Sequence, residues 1–527
     1  MGQAELLIVG LLVAVTVLGA LARRLSLPYP IVLVVGGALF GFVPGVPPVK
    51  LDPNVVLVIF LPPLLYGAAF FSNLNDMRAN LRGLALTSVG LVLVTMCAVA
   101  VVAHELIAGL PWGAAFALGA VVSPTDPLAG AAIMRRLGVP RRMVSSVEGE
   151  GLFNDATALV AYRVAVAAVV SGSFSLASAG LEFVAGAAGG IAIGLIVGWI
   201  IAEIRKRVSD PQLSITVSLL SGYAAFIPAD SLGASGVLAA VTTGLYMGIR
   251  GPSIIDARTR LQGFMVWDIL DFLLNAALFV LVGLQLRPVT DSLGGYSAGT
   301  LAGYAAAVSA VVIVVRVAWL FSVPYVIRAL DRRPSQRARR IGAGPRFVIA
   351  WAGMRGAVSL AAALALPFTT DAGTPFPARD LLIFLTFAVI AATLILQGLT
   401  LPAVIRRLDV HGDDSEDLEE VRARLTAAKA AIAQLDALGE EEWTRDDTLD
   451  RMKRLYEYRR GRFAARVGKA EDIGYEDRAL AYQQTVQSVL AAQREALLRL
   501  RNEGTISNEV MNRVMRELDL EESRLEI

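Results

Sequence analysis

Apolar stretches of about 20 residues recur along most of this chain, and this repetition restricts its fold more than any other feature. A stretch of that length crosses a bilayer as an α-helix, because the helix satisfies its own backbone hydrogen bonds. The chain is 55% hydrophobic, with a mean hydropathy of +0.60. Its first apolar stretch, "ELLIVGLLVAVTVLGALARR", is too long for the core of a cleavable signal peptide. We therefore predict an all-α polytopic membrane protein that begins with a membrane helix.

The hydropathy pattern predicts thirteen membrane-spanning helices. Their approximate limits are 5–22, 31–47, 55–71, 83–104, 112–134, 144–170, 178–202, 212–229, 234–249, 264–286, 298–327, 346–368 and 381–404. The odd-numbered loops and the segment after the last span hold 23 Lys and Arg residues, whereas the even-numbered loops hold three. Because basic loops remain in the cytoplasm, we predict an external amino terminus and a cytoplasmic tail, in the cell membrane.

The composition changes after residue 407. Residues 1–407 carry 29 basic and 19 acidic residues, a formal charge of +10, whereas residues 408–527 carry 19 and 27, a charge of −8. We predict a membrane domain at 1–407 and an acidic, largely helical cytoplasmic domain at 408–527, which forms a small bundle or a self-pairing segment. Attraction between this tail and the basic loops predicts that the tail modulates the membrane domain. The alternative is a solvated appendage that aids assembly.

Carboxylates lie near the predicted middle of two neighbouring spans, where an ionisable group costs about 2.5–3.5 kcal/mol to insert. In the fifth span, Thr125 and Asp126 precede Pro127, which suits the first turn of a new helix but cannot continue an old one. This pattern predicts an interrupted helix with Asp126 at the break. The alternative is a kinked and capped helix without a role in transport.

Asp155 lies at a similar depth in the sixth span. Two carboxylates in one water-accessible pocket destabilise each other when both are ionised, so they bind a cation or a proton. Oxygen ligands from Asp155, Asp126 and Thr125 suit a hard ion such as Na⁺. We predict a site at which Na⁺ and H⁺ compete, the alternative being a buried polar network that serves helix packing.

Two arginines also lie inside predicted spans. Arg316, deep in the eleventh span, requires a partner, and we predict a structural ion pair with Glu150. Arg355 is flanked by glycines in the twelfth span, which predicts a second interrupted helix. There Arg355 supports the break by offsetting helix-end dipoles and Asp126. Interrupted spans in both halves are typical of inverted-repeat transporters, with the site where the breaks cross.

Several segments resemble the bacterial and animal Na⁺/H⁺ exchangers of the monovalent cation:proton antiporter-1 family. In order along residues 1–407 they are "FLPPLLYGAAF", "SPTDPLA", "EGEGLFNDATALV", "SGVLAAVTTGL", "FLLNAALFVLVGLQL", "RVAWLF", "GMRGAVSLA" and "LILQGLTLP". The resemblance implies the sodium/proton antiporter fold with thirteen spans, a homodimer, and elevator-like alternating access of a core domain against a dimer domain.

The resemblance also assigns roles to residues. It implies that Asp155, with the preceding Asn154, binds the cation or the proton, and that Thr125 and Asp126 lie beside it. It matches the predicted ion pair on the sixth span to a structural pair of the family. An Asn-Asp pair, as opposed to two adjacent aspartates, implies electroneutral one-for-one exchange.

Two positions depart from the family pattern. Many members have Ser where Gly151 stands, and some bacterial members have an acidic residue where Gly67 stands. Both differences remove potential ligands, so Li⁺ and K⁺ remain alternatives to Na⁺.

The sequence thus predicts a secondary active antiporter that exchanges a monovalent cation, Na⁺ before Li⁺ or K⁺, for H⁺ in pH and sodium homeostasis. The alternatives are a K⁺/H⁺ antiporter and an ion channel or ion sensor on the same fold. With one cysteine and two histidines, the chain is not predicted to be an enzyme. We expect no cofactor and no nucleic-acid partner. The expected partners are the cation, the proton, membrane lipid and a second copy of the chain.

Overall fold

The computed structural model describes most of the chain. The described residues are 3–25, 27–43, 56–79, 81–172, 175–291, 293–330, 341–412, 415–466 and 475–523. The end of the predicted second span, the first residue of the third and residues 331–340 of a basic loop lie outside them. The chain forms two compact units, Met1–His411 and Gly412–Ile527.

Helices build the first unit. In chain order they are α1 (Gln3–Leu25), α2 (Tyr29–Gly41), α3 (Leu61–Phe70), α4 (Leu74–Ala79), α5 (Leu81–Ala85), α6 (Val92–Leu106), α7 (Trp112–Val122), α8 (Pro127–Arg136), α9 (Arg141–Ser171), α10 (Leu176–Arg207), α11 (Pro211–Ser231), α12 (Gly236–Ile254), α13 (Ala257–Leu284), α14 (Leu286–Asp291), α15 (Ala298–Leu330), α16 (Ala343–Trp351), α17 (Ala357–Leu364), α18 (Arg379–Ala392) and α19 (Gly398–Arg407). Short π-helical segments adjoin α3, α6 and α18, at Val56–Phe60, Leu86–Leu91 and Thr393–Gln397. Within the described residues, eight helical segments are long and apolar enough to cross a membrane, and two shorter apolar helices accompany them. The total of thirteen spans stays a prediction.

Several helices begin before the apolar stretch that predicted them. The tenth span was expected from residue 264, but α13 begins at Ala257. Asp256 caps this helix, because its carboxylate accepts a hydrogen bond from the backbone nitrogen of Thr259 at 2.9 Å. Hydropathy marks the part of a helix that suits lipid, whereas the cap decides where the helix starts.

The fifth and the twelfth predicted spans are both interrupted in the middle, as the sequence predicts. Residues 123–126 separate α7 from α8, and residues 352–356 separate α16 from α17. The backbone nitrogen of Asp126 donates a hydrogen bond to the carbonyl oxygen of Met354, 2.8 Å away. The two breaks therefore touch each other, and four helix ends lie close together inside the unit.

Close helix packing holds the breaks in place. A Cβ atom at Gly119 of α7 would lie 2.3 Å from the carbonyl oxygen of Met96 in α6. A Cβ atom at Gly37 of α2 would lie 2.4 Å from the carbonyl oxygen of Val280 in α13. Small residues of this kind let membrane helices approach to backbone contact. These glycines thus allow helices of the first unit to pack at backbone contact.

The second unit consists of amphipathic helices, as predicted for the tail. They are α20 (Ser415–Leu438), α21 (Asp446–Arg466), α22 (Tyr475–Asn502) and α23 (Asn508–Ser523). Lys453 of α21 bonds to Asp436 of α20 at 2.8 Å, and this hydrogen bond raises the pKa of Lys453. Arg494 of α22 bonds to Asp519 of α23 at 2.7 Å. Neighbouring helices therefore pair within this unit, while its cytoplasmic location stays a prediction.

Candidate functional site

Asp126 lies where the two broken helices cross. Its carboxylate caps α8 by accepting a hydrogen bond from the backbone nitrogen of Leu128 at 2.9 Å. A Cβ atom at Gly356 would lie 1.8 Å from the Asp126 carboxylate oxygen. The carboxylate therefore rests against the backbone of the second break, at a position where only glycine fits.

Asp155 lies on α9 and lines a cavity of about 510 Å³ together with Asp126. Both residues are partly exposed, and their charges interact. Within the described residues, the Asp155 carboxylate accepts no hydrogen bond and forms no salt bridge. Two carboxylates that repel each other in a site open to water lower their energy by binding a cation or a proton.

A hydrogen-bonded network lies behind these carboxylates. The amide nitrogen of Asn154 donates to the Thr125 hydroxyl at 2.8 Å and to the Thr125 carbonyl at 3.2 Å. The Thr125 hydroxyl in turn donates to Glu150, with the oxygens 3.1 Å apart. The network therefore joins the residue before Asp126 to the residue before Asp155, and fixes the two carboxylates relative to each other.

Glu150 completes this network through an ion pair with Arg316 that is closed to water. Both nitrogens at the end of the guanidinium donate to the two carboxylate oxygens of Glu150. Glu150 is 3% exposed and Arg316 is 1% exposed. The pair has the contacts expected of a structural one, because a buried charge is tolerated when a partner and hydrogen bonds satisfy it.

The two buried arginines also cap the ends of the broken helices. Arg316 donates to the carbonyl oxygens of Ile349 and Ala350, which end α16. Arg355 donates to the carbonyl oxygen of Val122, which ends α7, at 3.1 Å, and to that of Gly353. A cation at the carboxyl end of a helix offsets its negative dipole end. Arg355 thus lies at the carboxyl end of α7, whereas the hydrogen bond to the Asp126 carboxylate comes from Leu128 at the amino end of α8. The supporting role of Arg355 stays a prediction.

The cavity is also lined by residues of α13 that the sequence did not lead us to expect. Asp268, Asp271 and Asn275 of this helix line the cavity, and Tyr29 of α2 lines it too. The sequence signal was present, because spacings of three and four residues place the three polar side chains on one face of an apolar helix. The missed information was that this face turns towards the two broken helices.

The family model described as "Sodium/hydrogen exchanger, transmembrane" matches residues 11–407. The chain belongs to the sodium/hydrogen exchanger family. This family consists of transporters, and the family and the apolar helices together indicate a multi-pass membrane protein.

Relatives of the whole chain include an uncharacterized Na⁺/H⁺ exchanger of Mycobacterium bovis, which is 38% identical over 98% of this chain and 95% of that protein. A sodium, potassium, lithium and rubidium/H⁺ antiporter of Bacillus pumilus is 31% identical over 78% of this chain and 62% of that protein. Among solved structures, the sodium proton antiporter of Methanocaldococcus jannaschii at pH 8 aligns with a TM-score of 0.57. It shares 18% identity and covers 75% of this chain and 100% of that one, so it shows the fold alone.

The two departures from the exchanger pattern have steric counterparts. A Cβ atom at Gly151 would lie 2.5 Å from the ring of Pro127, so the chain leaves no room for a hydroxyl there. A Cβ atom at Gly67 would lie 3.0 Å from the indole ring of Trp267. The indole fills the space that an acidic side chain at position 67 would use. Neither position therefore supplies a side-chain ligand to the cavity.

Proposed function

We propose that the chain is a secondary active antiporter that exchanges a monovalent cation for H⁺, with Na⁺ as its principal cation. One observation carries the proposal: Asp126 and Asp155 share a cavity and have no basic partner among the described residues. The nearby buried charge of Glu150, in contrast, is paired. Repulsion between the two open carboxylates makes binding of one positive ligand at a time favourable, which is the requirement for exchange.

In this proposal, the carboxylates of Asp155 and Asp126 and the oxygens of Thr125 bind the cation. Carboxylate, hydroxyl and carbonyl oxygens are hard ligands that suit Na⁺. Asn154 orients Thr125 through the two hydrogen bonds from its amide nitrogen. The proton takes the place of the cation on a carboxylate. We infer that the exchange is electroneutral, because the site gives up one positive charge for each one that it binds.

The setting of this reaction follows from the sequence and the family. We infer a homodimer in the cell membrane, with the amino terminus outside and residues 408–527 in the cytoplasm. Exchange of sodium for protons across that membrane would serve pH and sodium homeostasis. The similarity to the antiporter of Bacillus pumilus, whose name gives monovalent cations and H⁺ as its substrates, supports cation/proton exchange.

Proton flux in proteoliposomes tests the proposal. Purified protein is reconstituted with a pH-sensitive dye inside the vesicles, and Na⁺, Li⁺ or K⁺ is added outside while the membrane potential is clamped. We expect the internal pH to rise with Na⁺ and the rate to be insensitive to the imposed potential. A wild-type protein that is folded in the vesicles and moves no protons with any of the three cations would overturn the proposal.

The same vesicle assay distinguishes two alternative functions. K⁺/H⁺ antiport is favoured by the Bacillus relative, whose name includes potassium, and by the absence of an extra ligand at Gly151 and Gly67. A higher rate with K⁺ than with Na⁺ would select it. An ion channel requires conductance without coupled proton movement, and Arg355 fills the crossing between the two breaks, which disfavours an open pore.

A further inference from the structure

The cavity carries a row of carboxylates that continues beyond the proposed exchange site. Electrostatic interactions link Asp155 to Asp126, Asp126 to Asp271, and Asp271 to Asp268. All four side chains line the same cavity. Among the described residues, no three acidic, histidine or cysteine side chains converge tightly enough to hold one metal ion. The four carboxylates therefore form a row and not a chelating cluster.

Exposure decreases along the α13 side of this row. Asp268 is exposed, Asp271 is half-buried, and Asn275, one turn further along the helix, is 2% exposed. The face of α13 thus runs from the open part of the cavity towards its buried part. Asp268 is the one exposed acid among the described residues that line the cavity, whereas Asp271, Asp126 and Asp155 are partly buried.

Neither acid of α13 is used to stabilise the fold through an ion pair. In the part of the chain that the structure describes, Asp268 and Asp271 form no salt bridge within 4.0 Å. The one basic residue among the described lining residues is Arg135; its guanidinium bonds to Glu148, and its charge attracts Asp271 only from beyond ion-pair distance. A purely structural carboxylate inside a membrane protein would be expected to have such a partner.

A buried polar group at the inner end of the row points to the same conclusion. Asn275 lines the cavity beside Asp271, with which its side chain interacts, but its amide nitrogen has no acceptor within hydrogen-bond geometry among the described residues. A buried donor without an acceptor costs about 1–3 kcal/mol, and such groups are normally satisfied by water or a ligand. Water entering with a hydrated cation would supply the acceptor at this position.

We propose that Asp271, with Asn275 beside it, forms a second binding station for the transported monovalent cation, between the open part of the cavity and Asp126. The station rests on the proposed function, because the cation that it holds is the one that is exchanged. Asp271 binds the cation with its hydration water retained, and Asn275 donates a hydrogen bond to that water. Asp268 attracts the cation to the mouth of the cavity. The station raises the local cation concentration at Asp126 and Asp155 and does not itself exchange protons.

The test measures how exchange depends on cation concentration. In proteoliposomes, Asp271→Asn is expected to raise the half-saturating Na⁺ concentration roughly three- to tenfold, the scale of one lost charge attraction near a protein surface. The maximal rate is expected to stay within about twofold, because chemistry at Asp126 and Asp155 is intact. Asp268→Asn is expected to have a smaller effect in the same direction, because this residue is more exposed and more screened.

Two matched variants separate this role from a general effect of charge or packing. Asp291→Asn removes one negative charge at the exposed end of α14, outside the cavity lining, and its half-saturating concentration should equal that of the wild type. Asp271→Glu keeps the charge and should stay close to the wild type. If Asp271→Asn does not fold, Asp271→Ser carries the same expectation. An Asp271→Asn protein with an unchanged half-saturating concentration, or without exchange at saturating Na⁺, would overturn the second station.

A binding measurement keeps this proposal distinct from the antiport proposal. Na⁺ is titrated into detergent-solubilised protein, and the half-saturating concentration is read from the rise in melting temperature. If wild-type vesicles exchange nothing but the titration still depends on Asp271, the antiport proposal fails and the station stands. If the vesicles exchange normally but neither titration nor exchange depends on Asp271, the station fails alone.

Discussion

Two carboxylates on the same helix, Glu150 and Asp155, show how differently a membrane protein treats two buried charges. Glu150 receives two guanidinium hydrogen bonds from Arg316 and one from Thr125, and almost none of it reaches solvent. Asp155 is five residues further along α9 and faces a cavity without any such partner among the described residues. The difference indicates that Glu150 serves the structure, because Arg316 balances its charge, whereas Asp155 is available to bind a ligand.

The two charges are nevertheless connected. Thr125 accepts from Asn154 and donates to Glu150, so the closed pair helps to hold the backbone beside both open carboxylates. A structural ion pair can therefore influence binding without touching the ligand. Variants of the two sets of residues should therefore have different main effects. Substitution of the open carboxylates, Asp126 and Asp155, should change the exchange rate. Substitution of the closed pair, Glu150 and Arg316, should first lower the stability.

The largest expected effect comes from the open carboxylate. Asp155→Asn should abolish cation-dependent proton flux while leaving the melting temperature near or above that of the wild type, because it removes a titratable ligand and one of two repelling charges. Flux in proteoliposomes and melting in detergent measure the two properties. Near-normal flux from folded Asp155→Asn protein would remove Asp155 from the site.

The closed pair should give the largest loss of stability. Glu150→Ala and Arg316→Ala should each lower the free energy of unfolding by about 3–5 kcal/mol, because each leaves a buried charge without its partner. The double variant should cost much less than the sum of the two. The exposed pair Arg163–Asp230 is the matched control, and breaking it should cost about 0–1 kcal/mol. Additive losses at positions 150 and 316 would contradict the pairing.

Steric contacts at the second break should have an intermediate effect. In Gly353→Ala, the new Cβ atom would lie 2.0 Å from the Nε atom of Arg316, so the guanidinium must move away from Glu150. We expect a loss of about 1–3 kcal/mol, typical of overpacking. Gly303→Ala on α15 meets nothing within 4 Å and serves as the control. Equal melting temperatures for the two variants would show that the arginine is not held as described.

The hydroxyl that connects the two groups should have a smaller effect on stability. Thr125→Val keeps the shape of the side chain but removes the donor to Glu150 and the acceptor for Asn154. We expect a loss of about 1 kcal/mol, the scale of a net hydrogen bond, together with weaker cation binding. Thr125→Ser keeps the hydroxyl and should remain near the wild type in both respects. If valine and serine behave alike, the hydroxyl does not couple the pair to the site.

Removal of the tail should have the smallest effect. A chain that ends after residue 411 should still exchange cations for protons, because both carboxylate groups lie in the first unit. A shift in the pH or salt dependence of the rate is expected if the acidic tail modulates the membrane domain through charge attraction, as the sequence predicts. An unchanged profile would contradict a regulatory tail, and a folded but inactive protein would contradict a complete site within the first unit.

Much of the site could be predicted from sequence because it depends on local rules. A proline after Asp126 and glycines on both sides of Arg355 disfavour a continuous helix at these places, and both interruptions are observed. An arginine as deep as Arg316 requires an acidic partner, and Glu150 is the residue that it contacts. Such inferences need only the cost of a buried charge and the geometry of one helix.

The rest depended on tertiary contacts that spacing does not encode. Asp271 and Asn275 lie on one helix face, but only packing decides that this face turns towards Asp126 and not towards lipid. The capping of α7 by Arg355 likewise depends on the crossing of the two breaks. Helix ends such as that of α13 follow from caps beyond the apolar stretch, which hydropathy does not detect.

Proton release on cation binding tests most directly whether the open carboxylates are a shared site for Na⁺ and H⁺. NaCl is added to purified protein in weakly buffered detergent solution that contains a pH indicator, with choline chloride as the ionic-strength control. Competition for the same carboxylates predicts the release of up to about one proton for each cation bound, at a pH where the site is protonated. The release should disappear in Asp155→Asn and persist in Asp291→Asn. Saturable Na⁺ binding by the wild type without proton release at any pH would contradict a shared site.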